Sequence, residues 1–447
     1  MSQTKRVKLE SNSQQYAKVF SACRFVEEKT ISLQPDMGTV SAISPWPLPR
    51  KTATNTVSST HVPSANIATI GNDFVVKDEN NDNVEACLQQ VHSQVTFEIS
   101  GNAHVAIGTN IGCIALVRGN GGVSVLQCGN TSAVQHLLIA RDTTAPTSAT
   151  NADSGAGDAM PDIVVGDSGG QVTIFTLGSV FSRNTLPAPI SALTVDSNPN
   201  TPSNFLVGDM SGAVTSFHAQ EVLWRAQIGY SMEAIPTSGN ANGTDMLDSM
   251  ITGALDTKVN GICSVRWPDN YGIATNYVLA AAGSGIQVLC QGMLVLSVPV
   301  LAPCNALRAG TFFGLPGENT QAILGDEAGY LYVLDNFKLT PYAQVDYPIT
   351  HIASLPLREF FETDGPDIVI CTTRSNTIYV LCGGHIVGKY EARAWPLAVG
   401  VIEMVYESRR CPALVVAENS KQAIGDGVEC VLRIVVLECE LTKEAVA

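Results

Sequence analysis

The chain has 447 residues, with 41 acidic against 26 basic side chains and a formal net charge of −15, which disfavours binding to a phosphate backbone. Charged residues are 15% and hydrophobic residues 45%, with 38 Gly and 22 Pro, a composition that excludes a charge-laced helical protein and fits a turn-rich, well-buried all-β one. A single core stops growing near ~250–300 residues, so a chain of this length is expected to grow by repetition.

From the N-terminus, residues 1–15 read as a tail. Its cluster Lys5-Arg-Val-Lys8-Leu9 has the form of a short nuclear-import signal, although such clusters are common in solvated tails. The first ten residues lack the apolar stretch of a secretion signal, and no apolar run approaches the ~18–20 residues of a membrane span. The expectation is a cytoplasmic protein without membrane insertion, with the nucleus as the alternative location. Residues 19–33 are β-rich, and residues 38–62 read as a long irregular loop. The segment Ile67-Ala-Thr-Ile-Gly71-Asn-Asp-Phe-Val-Val76 reads as an isolated hairpin. Asp78-Glu-Asn80-Asn-Asp82 alternates oxygen ligands as a hard cation requires, but it lacks the closing Gly and reads as a solvated loop.

Beyond this point one pattern recurs. A short apolar strand ends in Gly, Asp follows directly in the clearest copies, another Gly closes the turn, and a second β-rich strand begins. The best copies are Asp162-Ile-Val-Val-Gly166-Asp167-Ser-Gly-Gly170, Phe205-Leu-Val-Gly208-Asp209-Met-Ser-Gly212 and Ala322-Ile-Leu-Gly325-Asp326-Glu-Ala-Gly329. Weaker copies centre on Gly108 and Gly283, and degenerate ones on Cys371 and Ala417. The chemistry is that of a hairpin: Asp bonds its own backbone to open a tight turn, and Gly supplies a positive φ before the return strand. Gly166 to Gly208 and Gly283 to Gly325 are each 42 residues apart, and Gly325 to Cys371 and Cys371 to Ala417 are each 46. Longer gaps are explained by polar insertions at about 142–158 and 238–256. Opening strands lie at 190–195, 261–266 and 349–355, and closing strands at 221–226, 293–298 and 385–390.

A period in the low forties with four strands per unit predicts a single β-propeller over residues 16–441, with a short tail at 442–447. Seven blades of four antiparallel strands are expected; counting the hairpin at 67–76 as a partial blade gives eight. The segment 19–33 is expected to add a strand to the last blade, closing the ring with strands from both ends and removing free edges.

The sharpest chemical motif is Gly166-Asp167-Ser168-Gly-Gly170, which matches the surroundings of a trypsin-like nucleophile. A nucleophilic Ser needs a base oriented by a third group, and a hydrolase elbow needs a helix after the turn. Here a β-rich segment follows, and the same turn recurs at Gly208 and Gly325 with Met210 and Glu327 in the place of Ser168. The residues Gly108, Gly166, Asp167, Gly170, Gly208, Asp209, Gly212, Gly283, Gly325, Asp326 and Gly329 are therefore assigned to structural repeat turns. The seven His, including His136 and His351, show no metal-ligand spacing and read as core or surface residues. Most of the twelve Cys sit in apolar runs without Cys-x-x-Cys pairs, as small hydrophobes in a reducing compartment. No catalytic residue, metal or cofactor is expected.

These repeat cores resemble the FG-GAP type of propeller repeat, found in integrin α heads and in intracellular scaffolds. WD40 repeats share the geometry, but no Trp-Asp dipeptide occurs. Residues 349–405 resemble the last repeats of the intracellular FG-GAP protein of the KICSTOR nutrient-signalling scaffold, and the propellers of the ciliary BBSome look similar at the same level. The family's Ca²⁺ loop, Asp-x-Asp/Asn-x-Asp-Gly, is absent from every repeat. The resemblance implies a non-enzymatic scaffold for protein–protein interaction, a subunit of a larger intracellular assembly with protein partners and without nucleic acid. The alternatives are a propeller enzyme with a site at the central channel, or a nuclear or mRNA-linked adaptor.

Overall fold

The computed structural model describes residues 20–32, 40–45, 104–118, 123–127, 132–140, 162–176, 179–196, 204–228, 258–269, 271–313, 320–357, 365–406, 409–421 and 428–441. Among them lie 28 strands in seven four-stranded antiparallel sheets. Strand β1 (Phe20–Ser32) belongs to the last sheet. Blade 1 is β2 (Val40–Pro45), β3 (His104–Thr109), β4 (Ile114–Arg118) and β5 (Val123–Gln127); blade 2 is β6 (Val134–Ala140), β7 (Asp162–Asp167), β8 (Gln171–Thr176) and β9 (Ser179–Thr185). Blade 3 is β10 (Ile190–Val195), β11 (Asn204–Asp209), β12 (Ala213–His218) and β13 (Glu221–Gln227); blade 4 is β14 (Val259–Pro268), β15 (Ala274–Ala282), β16 (Gly285–Cys290) and β17 (Met293–Pro299). Blade 5 is β18 (Cys304–Gly310), β19 (Gln321–Asp326), β20 (Tyr330–Asp335) and β21 (Lys338–Gln344); blade 6 is β22 (Ile349–Leu355), β23 (Ile368–Thr373), β24 (Thr377–Cys382) and β25 (His385–Glu391). Blade 7 is β26 (Pro396–Tyr406), β27 (Arg409–Lys421) and β28 (Val428–Leu441), completed by β1.

The first strands of successive blades touch in turn, β2 to β6, β10, β14, β18, β22 and β26, and β26 touches β2 again. The ring is closed, and the protein is a seven-bladed β-propeller. The middle strands β7, β11, β19, β23 and β24 are buried at every residue, whereas the rim strand β13 is mostly exposed. This is why the repeat cores read as unbroken apolar runs: each middle strand is covered on both faces by neighbouring blades. Seven apolar clusters follow, one at each junction. Phe205 and Val207 of β11 face blade 2, while Leu206 faces blade 4 with Val259 and Val278. The last junction joins Ile402, Val415 and Leu432 of blade 7 to Val40, Val105 and Ile107 of blade 1.

Closure uses both chain ends, as the sequence predicts. Strand β1 pairs with β28 from Phe20 opposite Leu441 to Ser32 opposite Val431. One expectation needs correcting: Val40–Pro45, read from sequence as part of the irregular loop 38–62, is the innermost strand of blade 1. The strand is short, ends in Pro and lies far along the chain from its partner β3, so no local pattern marks it. The remainder of that loop, the tails 1–15 and 442–447, the hairpin at 67–76, the Asp78–Asp82 cluster and the insertions at 142–158 and 238–256 lie outside the described residues. Among the described residues no helix is long and apolar enough to cross a membrane.

Removing residues 1–32 takes away the partner of β28 and the buried side chains of Cys23 and Ile31. The truncated chain is expected to lose at least about 3 kcal/mol of stability, read as a lower guanidinium midpoint. An unchanged midpoint would mean that the ring closes without β1.

Candidate interaction surfaces

The repeat turns join the second and third strands of each blade on one face of the ring. In blades 2, 3 and 5 the carboxylate Oδ1 of Asp167, Asp209 and Asp326 accepts the backbone N–H groups two and four residues on, all at 2.8–3.0 Å. The closing glycines Gly170, Gly212 and Gly329 sit at φ of 82°, 82° and 83°, a region that only Gly enters without strain. Thr109 does the same work in blade 1, where its hydroxyl accepts from the Cys113 N–H at 3.0 Å and Gly112 closes the turn. Ser168 is held in this turn by its own N–H, which donates to the Ala133 carbonyl at 2.8 Å, and the hairpin continues straight into β8. Met210, Glu327 and Arg374 repeat that bond to Pro189, Pro303 and Pro348. The turns thus pin the beginnings of blades 2, 3, 5 and 6, and Gly283 lies in the two-residue turn between β15 and β16.

The glycines that precede the Asp have a different reason. A Cβ on Gly108, Gly166, Gly208 or Gly325 would lie 2.2–2.6 Å from Val134, Ile190, Val259 or Ile349, the first residue of the next blade's inner strand. The second residue of every inner strand sits at a register shift. A bulge there re-aims the side chain. Ser191 Oγ donates to the Val259 carbonyl at 2.7 Å, Asn305 Nδ2 to the Ile349 carbonyl at 3.2 Å, and Ser41 Oγ to the Val134 carbonyl. Polar side chains therefore stitch blade to blade beside the channel.

In the last blade Glu418 stands at the Asp position, opposite Pro396. It is buried and accepts from Arg433 Nε at 2.6 Å. Burial pushes the thiols of Cys304, Cys371 and Cys382 up to about 12, which keeps them protonated and unreactive at neutral pH. Among the described residues no group of three or more His, Cys, Asp or Glu is placed to hold a metal.

Two surfaces remain without a structural task. The first is the outer rim of blades 2 to 4. Each rim strand there has a bulge that turns an apolar side chain outward: Phe181 is 43% exposed, Leu223 44% and Val295 52%. Gln220 Nε2 reaches the Phe181 carbonyl at 3.4 Å, and Trp224 packs over Gly292, so the three rims are continuous. Strand β17 goes further. Met293 and Leu294 are 69% and 58% exposed, Leu296 is exposed too, and the strand Met-Leu-Val-Leu-Ser-Val-Pro carries no charge. Edge strands are usually blunted by charge or Pro, as β21 is by Lys338 and Pro341 and β25 by Lys389, whereas β17 has only the Pro299 at its very end.

The second surface is the channel mouth on the face of the turns. His136 and His351 are each the third residue of an inner strand, in blades 2 and 6, opposite Gly166 and Thr372 in the same register. Ala42, Ala192, Gly261, Ala306 and Ala398 fill that position elsewhere. His351 is exposed and His136 half-buried. Burial first, then the charges of His351 and Lys258, bring the His136 imidazole down from 6.5 to about 4, against a bond to the Ser191 carbonyl that acts the other way. Sequence reasoning places these His in the core or on the surface; only the register shows that they share one level of the channel.

No protein-family model matches the chain, and no curated protein sequence matches it. Solved structures do. The crystal structure of BBS1N in complex with ARL6DN, from a crystal soaked with lead, superposes with a TM-score of 0.52 at 11% identity, over 79% of this chain and 94% of that one. A second crystal of the same complex, soaked with mercury, gives 0.51 at 11% identity over the same shares. The likeness is one of fold, shared among 715 solved chains. It shows the propeller fold and does not discriminate FG-GAP from other repeats.

Three outcomes are expected from this geometry. Gly325→Ala forces its Cβ onto Ile349 and costs about 1–3 kcal/mol, read in a urea midpoint; no loss would mean the blades are free to separate there. Asp209→Ala strips three hydrogen bonds and leaves Arg225, 3.3 Å away, without its carboxylate. It should cost about 1–3 kcal/mol. Because His136 is depressed in the folded state, the unfolded chain binds more protons between pH 6.5 and 4. Its contribution to stability is complete above pH 6.5 and is lost as pH falls towards 4, so His136→Gln is expected to flatten the fall of the urea midpoint over that range.

Proposed function

We propose that this propeller is a non-enzymatic interaction scaffold, a subunit of a larger intracellular assembly, and that it docks a partner protein along the rim of blades 2 to 4. The observation that carries this reading is the row Phe181, Leu223 and Val295 running into the uncharged edge β17. Large exposed apolar patches mark interaction sites. An unpaired edge offers backbone N–H and C=O groups to an extended segment of another chain. Among the described residues no strand pairs with the outer side of β17. The occupant is therefore an extended, apolar, weakly charged segment of a partner, added as a fifth strand to blade 4.

Further support comes from what the chain does not leave free. The turn carboxylates are committed to backbone N–H groups, and the buried thiols are held neutral. Such thiols suit a reducing cytoplasm. The Gly-Asp turns support an FG-GAP-type origin of the repeat and kinship with intracellular scaffolds such as that of KICSTOR. The BBS1N crystals hold a propeller-like chain bound to a second protein, which is in keeping with a docking role.

The test is size-exclusion chromatography and mass spectrometry of the full-length protein from its native cytosol, beside the variant Leu294→Glu/Leu296→Glu. The wild type is expected in a high-mass peak with a constant set of partners. The variant should weaken that association by about 2–3 kcal/mol, since a buried unpaired carboxylate has no compensation. Partners retained by the variant would place the dock elsewhere, and a monomeric wild type would refute the subunit reading.

A further inference from the structure

One element stands out from the ring, on the face away from the turns. The β14–β15 hairpin of blade 4 keeps pairing past Val265 and Tyr277, through Arg266–Asn276, Trp267–Thr275 and Pro268–Ala274. In blade 5 the corresponding ladder stops at Gly310 and Gln321, and in blade 6 at Leu355 and Ile368. Three more pairs carry the tip about 10 Å beyond those blades. The base of this extension is clamped from both sides. Asn276 Nδ2 donates to Asp196 of blade 3 at 2.8 Å, and Trp267 Nε1 to the Thr320 carbonyl of blade 5 at 2.6 Å. Phe337 of blade 5 stands edge-on to Trp267 and Tyr277, with ring centres 4.9 and 5.2 Å apart. The tip is fixed as well. Asp269 takes the part that Asp167, Asp209 and Asp326 play in the repeat turns: its Oδ1 accepts the N–H of Tyr271 at 2.8 Å and of Ile273 at 2.9 Å. Its own N–H donates to the Ile273 carbonyl at 2.8 Å, and Gly272, at φ 76°, donates to its carbonyl at 2.9 Å. What this turn presents is Ile273, 64% exposed, and Tyr271, at 88% the most exposed aromatic side chain among the described residues.

We propose that this hairpin is an anchor that inserts Tyr271, backed by Ile273, into an uncharged apolar pocket on another protein. A mere connection between strands needs neither three further ladder pairs nor apolar residues at its tip. A convex, rigid tip calls for a concave receiver. A phenol ring fills such a pocket while its hydroxyl finds an acceptor at the bottom. Fixing both side chains before contact lowers the entropy cost of binding. Charge sets the chemistry of the receiver. The Asp269 carboxylate is engaged by two backbone N–H groups, so the tip calls for no counter-ion in the pocket. The net charge of −15 repels anionic lipid headgroups and favours a protein whose surface is neutral or basic around that pocket. This surface is distinct from the rim of blades 2 to 4 and does not rest on docking there: a chain with Leu294→Glu/Leu296→Glu presents the same tip.

The test uses the full-length protein with the photo-crosslinking residue p-benzoylphenylalanine in place of Tyr271, irradiated in its native cytosol. A control chain carries the same residue in place of Leu301, which is 83% exposed and lies between β17 and β18 on the turn face. Position 271 is expected to trap one protein that position 301 does not, bonded through apolar residues of a folded domain. That protein is then purified and titrated calorimetrically against the unlabelled chain. Tyr271→Ser/Ile273→Ser should weaken binding by about thirtyfold or more. It should leave the urea midpoint where it is, since both side chains are exposed. Asp269→Ala keeps both apolar side chains and loses the turn bonds; it should weaken binding by about three- to tenfold. An unspecific sticky patch does not sense that change. The proposal is overturned if position 271 traps nothing, only lipid, only a second copy of this chain, or the same proteins as position 301. It is equally overturned by cross-links to charged residues, or by affinity that either variant leaves unchanged.

Discussion

A blade of this protein cannot bury its own faces. Its middle strands are apolar on both sides, so each blade is soluble only between two others, and the last must meet the first. The pairing of β1 with β28 satisfies that requirement. It completes the blade that packs against Val40, Val105 and Ile107 and turns seven half-buried sheets into seven equivalent junctions. The finer features serve the same demand. Glycines at the ends of the second strands let the next blade's first residue come close, and bulges aim Ser41, Ser191 and Asn305 across the gap. The Asp turns hold the beginnings of blades 2, 3 and 5 in place from above.

This division of labour decides where function has room. Polar groups on the turn face that look like chemistry in the sequence are consumed by structure; Asp167 and Ser168 belong to a hairpin and not to a nucleophile. What the ring does not need is the rim, where a bulge leaves one side chain pointing outward, and the channel, where inner strands need only small residues. Those are the two places in which residues depart from the requirements of packing: apolar at Phe181, Leu223 and Val295, and basic or aromatic-polar at His136 and His351.

The architecture was legible in the sequence because its causes are local. The Gly-Asp turn recurs with its apolar flanks, and the middle strands are continuous hydrophobic runs. The opening strand Ile349–Leu355 and the closing strand His385–Glu391 both lie where the repeat places them. Legibility failed where the cause is a neighbour in space. Val40–Pro45 becomes a strand because β3 and β6 flank it. In blades 4 and 6 the register assigns the glycine position to Ala281 and Thr372, two residues before the Gly283 and one after the Cys371 that spacing suggests. The channel pair was hidden for the same reason: His136 and His351 are far apart in sequence and alike only in register. The rim left a fainter trace. Val180-Phe181, Val222-Leu223-Trp224 and Met293-Leu-Val-Leu296 are consecutive apolar residues where an exposed strand ought to alternate.

The way β1 lies on β28 also sets how the molecule bears load. Phe20 faces Leu441 and Ser32 faces Val431, so the chain leaves the sheet at one end of the ladder on both sides. Tension applied to the two termini therefore acts across the strands and not along them. The pairs open one after another from Phe20, as a zipper does, instead of sharing the force in shear. A ring held together by seven apolar junctions is thus mechanically soft at its seam, and a pull on both ends peels β1 away before any other blade is disturbed.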